Sequence, residues 1–225
     1  MAAAKKVNWF AILVSGIVLV LVVVVVVVSV WMNHRATALA DSPGAGVVNS
    51  DTGGITIGEQ TDNTLETYID FMCPYCGMFE TQYWGDDIAD AVDAGELTLT
   101  VYPVAILDAQ SEGTQYSTRA SNALYCVTDE NADAAYPFLR ALFDNQPSEG
   151  TSGLTDEQLI SYAKKAGAGD AADCITDLTY GDFVSKVTDA LPTNSQTGNK
   201  STPAVLFNGT EVNDWTTTTL ADYLG

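Results

Sequence analysis

Hydrophobic and polar positions divide the chain into two unlike parts. Residues 7–32 read VNWFAILVSGIVLVLVVVVVVVSVWM, an apolar run without a single charge. As a helix rising ~1.5 Å per residue it is long enough to cross the ~30 Å hydrocarbon core of a bilayer. Valine is a poor helix former in water, but in lipid the backbone must satisfy itself within the segment, so a helix is expected. Trp9 and Trp31 stand near its two ends, where amphipathic rings favour the headgroup level. Lys5 and Lys6 precede the run and only Arg35 closely follows it. The positive-inside rule then places residues 1–6 in the cytoplasm, residues 7–32 as a transmembrane anchor, and the rest outside. Ala38-Leu39-Ala40 offers a rival reading as a signal-peptide cleavage site. Signal peptides, however, use apolar cores of about 7–15 residues. Under either reading the remainder of the chain is exported. Residues 33–53, rich in Ala, Ser, Gly and Asp and running into Gly53-Gly54, read as a flexible linker.

Residues 54–225 alternate between the periods of strands and helices. Residues 55–57 suit a short strand, and residues 64–72 (TLETYIDFM) are a β-type run leading straight into Cys73-Pro74-Tyr75-Cys76. A helical pattern follows from about 76 to 94, with Phe79, Tyr83 and Ile88 as core candidates, and stops at Gly95. Leu97, Leu99 and Val101 then alternate with Thr98, Thr100 and Tyr102, a strand closed by Pro103. From about 112 to 190 the period is helical. Tyr116, Ala120, Ala123 and Leu124 share one face of residues 114–130, and Ala135, Phe138, Leu139 and Leu142 one face of residues 132–145. Thr155 and Gln158 form a capping box that opens a helix to Ala166, with Leu154 and Leu159 as its hydrophobic staple. Another helix is expected over 171–190, with a break at Gly181. Residues 204–207 and 210–212 flank Asn208-Gly209, a hairpin with a type I′ turn. A last helix from about Thr217 would bury Leu220 and Leu224. This order predicts an α/β core with a helical insertion.

Charge narrows the function classes. The chain carries 29 acids and 9 bases, a net of −20. Residues 1–35 hold three of the bases and no acid, so the remainder has a net of −23. Such a surface repels phosphate backbones, and no nucleic-acid partner is expected. His34, beside the apolar run, is the one histidine. That sets aside Ser-His-Asp and Cys-His catalysis and most catalytic zinc sites.

The chemistry therefore rests on cysteine. Two sulfurs at Cys-x-x-Cys spacing can close a small disulfide ring or supply half of a tetrahedral metal site. A strand before the motif and a helix after it favour redox. Cys73 then sits at a helix N-terminus, where unpaired N–H groups and the dipole stabilise the thiolate that attacks disulfides. Pro74 suits the first turn because it lacks an N–H that would go unused. Cys73 is assigned as the exposed nucleophile and Cys76, one turn inward, as the resolving thiol. Cys126 and Cys174 are single cysteines 48 residues apart. A structural disulfide between them is the economical reading in an oxidising compartment. A zinc site from all four cysteines and a pair of free buried thiols are the alternatives. No metal and no cofactor is expected.

FMCPYC at 71–76, YPVAILD at 102–108, YSTRASNALYCV at 116–127, the late Cys174 and STPAVLFNG at 201–209 together resemble the DsbA-like branch of the thioredoxin superfamily, in its anchored actinobacterial form. Pro203 follows Cys76 by 127 residues, room for the helical domain of that branch, placed here at about 108–198. The resemblance implies a thioredoxin-like fold over 54–225. It implies that Cys73 and Cys76 are catalytic, with Pro74 and Tyr75 as the loop between them. It further implies that Pro203 is a cis-proline beside them and that Thr202 offers backbone hydrogen bonds to an extended substrate peptide. In similar proteins the second cysteine pair forms a disulfide. The implied function is the introduction of disulfides into reduced or unfolded exported proteins, with reoxidation by a quinone-linked membrane partner. A reductase or isomerase, and a non-catalytic thioredoxin-like chaperone, are the alternatives. Two positions depart from the pattern. Tyr75 stands where DsbA itself has histidine, giving the dipeptide of the more reducing glutaredoxins. Thr67 stands six residues before the first cysteine, where many relatives carry a buried acid.

Overall fold

The computed structural model describes residues 47–225, so the expected anchor at 7–32, the terminus 1–6 and residues 33–46 of the linker lie outside the described residues. Among the described residues no helix is long and apolar enough to cross a membrane.

Strands β1 (Ile55–Ile57), β2 (Thr64–Ile69), β3 (Thr98–Pro103), β4 (Ala204–Phe207) and β5 (Thr210–Glu211) form one sheet in the order β1-β3-β2-β4-β5. β2 runs parallel to β3 in the register Leu65–Leu99 to Ile69–Pro103 and antiparallel to β4, with Thr67 opposite Val205. Leu65, Thr67 and Ile69 turn to a fully covered face while Thr64, Glu66 and Tyr68 keep partial exposure, the period-2 signature of a strand. β3, between β1 and β2, is buried along almost its whole length. Upstream, Val48 bridges Ile55, and the Gly53 carbonyl accepts the Tyr125 hydroxyl at 2.7 Å.

The crossover from β2 to β3 departs from one continuous helix over 76–94. It consists of α1 (Pro74–Met78), a π-helical turn at Phe79–Tyr83, and α2 (Gly85–Asp93). The Trp84 N–H reaches back five residues to the Phe79 carbonyl at 2.9 Å. The wide turn shifts the apolar face by one residue. Trp84 and Glu80 are turned inward with Phe79 and Ile88, whereas Tyr83, expected in the core, is 39% exposed. Gly85 is required here: a Cβ would collide with the Glu80 carbonyl oxygen.

Between β3 and β4 lies the helical insertion: α3 (Tyr116–Glu130), α4 (Ala135–Asp144), α5 (Asp156–Ala166), α6 (Ala172–Thr176) and α7 (Gly181–Asp189). The residues expected on the inner faces of α3 and α4 are all buried. The Thr155–Gln158 capping box is formed in both directions, over a buried Leu154 and Leu159. The 171–190 helix divides at 177–180, where Leu178 takes a φ of +52°, and Gly181 starts the second piece. The hairpin turns at Asn208 (φ +49°) and Gly209 (φ +74°), the two positive φ values a type I′ turn needs. The Asn208 side-chain oxygen also accepts the Thr64 N–H at 2.8 Å, tying the turn to β2. The last short helix, α8 (Ala221–Leu224), starts later than the expected Thr217; Leu220 is fully buried and Leu224 half-buried.

Candidate active site

The end of β2 delivers Asp70, Phe71, Met72 and Cys73 into the first turn of α1. The Cys73 N–H bonds the Asp70 carbonyl at 3.0 Å, closing a turn that leaves Cys73 at the N-cap and Pro74 in the first helical turn. Cys73 and Cys76 are both thiols. The exposed face of the motif belongs to Pro74 and Tyr75, with Tyr75 62% open, and not to the nucleophile: Cys73 is only 5% exposed and Cys76 fully buried. Cys73 is thus reached through a narrow opening.

The Thr202–Pro203 bond is cis, and β4 begins at the next residue. The Thr202 carbonyl accepts the Cys73 thiol at 3.3 Å. Sequence motifs 129 residues apart therefore meet at one sulfur.

Electrostatics divide the two thiols. Hydrogen bonding from Cys76 brings the Cys73 thiol down to about 6, against the opposing effect of burial, with help from Thr202 and the backbone N–H groups of Cys76 and Tyr75. Burial drives the Cys76 thiol the other way, well above its ordinary value, and the hydrogen bond and charge of Cys73 add to that. The two sulfurs are thus driven apart: the thiolate is favoured on Cys73 and the proton on Cys76.

Two partners of the motif carry no sequence signature. Asp70, fully buried, lies three residues before Cys73 and not six. Its carboxylate accepts the Met72 N–H (2.8 Å), the Ser117 hydroxyl (2.7 Å) and the Leu107 N–H (2.9 Å). Its own N–H points at the Cys76 sulfur at 3.5 Å. Burial pushes its carboxyl up to about 6 despite these three donors. Thr67 is fully buried too, with its hydroxyl unpartnered. Gln146, just past α4, donates its amide to the Phe71 carbonyl (3.1 Å) and the Cys73 carbonyl (2.8 Å). Gly77 makes room for it: a Cβ there would strike the Gln146 side chain. Ser117, Leu107 and Gln146 all follow β3 in the chain, so the insertion fastens the active-site turn from one side as the Thr202 loop does from the other.

Cys126 on α3 and Cys174 on α6 are joined in a disulfide, with Cα atoms 5.7 Å apart. That removes two ligands from the four-cysteine zinc alternative. Among the described residues no three His, Cys, Asp or Glu side chains converge on a metal position.

The family model for thioredoxin matches residues 50–224, nearly the whole described part of the chain. Oxidised DsbA of Mycobacterium tuberculosis superposes with a TM-score of 0.62 at 33% identity, over 71% of this chain and 84% of that one. The chain belongs to the DsbA-like branch of the thioredoxin family. The class of this DsbA-like chain is that of the thiol–disulfide oxidoreductases, and Cys73 and Cys76 are its free cysteines among the described residues. Reduced DsbG of the same organism, a disulfide oxidoreductase, matches at 31% identity over 80% of this chain and 83% of that one, with a TM-score of 0.60. The chain is also similar to part of a larger protein. The serine/threonine-protein kinase PknE of M. tuberculosis is 34% identical over 179 residues, covering 76% of this chain but only 31% of the kinase.

Proposed function

We propose that this chain is an oxidase of thiols in exported proteins. What supports the direction is the setting of the two thiols: Cys73 stands at the N-cap of α1 and its thiol is brought down to about 6, while Cys76 is fully buried and pushed up. A stabilised Cys73 thiolate stabilises the reduced form, and a stabilised reduced form makes the disulfide a stronger oxidant. In the forward reaction a substrate thiolate attacks Cys73 Sγ of the Cys73–Cys76 disulfide. The S–S bond breaks, its electron pair leaves on Cys76, and Cys76 takes up a proton. A second substrate thiolate attacks the substrate sulfur of the mixed disulfide and expels Cys73 as a thiolate. Two substrate thiols are oxidised to one disulfide, and the enzyme pair gains two electrons. The low pKa of Cys73 makes it the better leaving group in that second step.

Substrate is held as an extended strand against Thr202 and Pro203, where backbone contacts impose little sequence preference. The apolar run 7–32 anchors the chain with residues 1–6 in the cytoplasm and the catalytic domain outside; Lys5, Lys6 and the length of the run support this. Such an anchor keeps Cys73–Cys76 near a quinone-linked membrane partner that restores the disulfide. The test is stoichiometric. The oxidised chain, mixed with a reduced, unfolded multi-cysteine protein, is expected to yield substrate disulfides and a reduced Cys73–Cys76 pair. No transfer of oxidising equivalents, with accelerated reduction of insulin in dithiothreitol instead, would reverse the direction to that of a reductase.

A further inference from the structure

We propose that the pocket beside Thr202 is a subsite for a cationic side chain, Lys or Arg, of the substrate peptide whose cysteine docks on Cys73. This deepens the exchange function proposed for Cys73–Cys76 and rests on it.

The pocket, about 160 Å³, opens between Tyr75, Thr202, Glu211, Asn213 and Trp215. Because the Thr202 carbonyl bonds the Cys73 thiol, a peptide sulfur at Cys73 has this pocket as its immediate neighbour. Its polar lining sets the Glu211 carboxylate and the Asn213 amide beside the hydroxyls of Ser201 and Thr202. The Asn194 amide nitrogen is already engaged twice, by Glu211 Oε1 and by Asn213 Oδ1, both at 2.6 Å. The orientation of that amide is fixed, because its oxygen accepts the Gln196 N–H (3.1 Å) and the Thr197 N–H (2.8 Å). Glu211 Oε2 accepts the Ser195 N–H at 3.0 Å. Glu211 is the one charged residue that lines the pocket, and its carboxylate keeps capacity for a further donor. Thr202, nine-tenths buried on the wall, sets its side chain beside the Cys73 thiol and so joins the pocket to the nucleophile.

The carboxylate is held ready and unneutralised. Hydrogen bonds from Ser195 keep the Glu211 carboxyl below its ordinary value, so it is ionised across the physiological range. The ion pairs among the described residues, Arg119–Asp156 and Arg140–Asp86, use neither Glu211 nor any residue that lines this pocket. The nearby Lys200 ammonium donates to the Asp189 carbonyl at 2.6 Å. A carboxylate with no counter-charge among the described residues, with the indole of Trp215 and the exposed ring of Tyr75 at the rim, matches an ammonium or guanidinium on an aliphatic stem. The net charge of −20 draws such peptides in and repels acidic ones.

The experiment uses the full chain with its Cys73–Cys76 disulfide formed. Three peptides differ only beside their cysteine, carrying Lys, Leu or Glu, and the rate of disulfide transfer is read by mass. The Lys peptide is expected to react about five- to tenfold faster than the Glu peptide. Glu211→Gln is expected to collapse that ratio and Glu211→Lys to invert it. Asp90→Asn, which removes one charge from exposed α2, is expected to leave the ratio unchanged. Equal rates for the three peptides on the wild type, or equal loss of preference in Asp90→Asn and Glu211→Gln, overturn the subsite while leaving the exchange function intact. Failure of every peptide to react overturns the exchange function itself.

Discussion

Two pairs of cysteines sit in two regions of one domain in opposite states. Cys73 and Cys76 are three residues apart at the start of one short helix, both free, with their proton affinities driven apart. Cys126 and Cys174 are 48 residues apart on separate helices of the insertion and are joined. The first pair has an opening at Cys73, an exposed loop at Pro74-Tyr75 and a carbonyl from a distant loop aimed at its sulfur. In the second, Cys126 is almost wholly buried among α3 residues that are themselves core. Spacing alone does not set the difference. A disulfide is a switch where the protein stabilises its reduced form, and a staple where it only shortens the unfolded chain.

The comparison breaks most completely at the nucleophile. Cys73→Ser is expected to abolish disulfide transfer, a loss of roughly a thousandfold or more. Cys76→Ser should keep a reactive Cys73 and stall as a mixed disulfide that mass spectrometry detects. The second pair predicts the reverse. Replacing both Cys126 and Cys174 by Ala is expected to cost about 2–4 kcal/mol in urea unfolding. The potential of the Cys73–Cys76 couple should stay close to that of the wild type.

The clamping of the motif is the part least visible in the sequence. Local patterns carry the sheet, the capping box at Thr155, the Asn208-Gly209 turn and the Cys-x-x-Cys motif, because each is a short-range device whose residues specify their own backbone. Cys126–Cys174 is one of three open readings until the fold brings α3 and α6 together. Asp70, Gln146 and Glu80 have no such signature. Asp70 matters because Leu107 and Ser117 arrive beside it, and Gln146 because Gly77 leaves it space. A Gly facing the far end of a Gln, and an acid inside the apolar run 69–72, are the only hints. The misplaced Tyr83 has the same cause: a π-turn is a tertiary adjustment that no helical periodicity announces.

Smaller effects sharpen the same contrast. Glu80 is buried beside Arg140, and burial pushes its carboxyl from 4.5 up to about 7, the arginine only partly opposing. Across that window the folded state binds more protons than the unfolded chain, so stability falls as pH rises from about 4.5 to 7. Glu80→Gln should flatten this decline, with a gain over wild type growing to the order of 2–3 kcal/mol by pH 7. Urea midpoints at several pH values check it. Gln146→Ala removes the donor from the Phe71 carbonyl and one of two donors from the Cys73 carbonyl, the other being the Gly77 N–H. A loss of about 1 kcal/mol is expected, with an altered pH profile of Cys73 alkylation. An unchanged profile would limit Gln146 to a packing role.

The most direct measurement is the reduction potential of the Cys73–Cys76 couple, titrated in glutathione buffers with thiols counted by mass. A stabilised Cys73 thiolate predicts a value of about −120 to −180 mV, that of an oxidant acting on exported thiols. A value near about −270 mV would contradict the account, making the pair a reductase with Tyr75 the first residue to exchange.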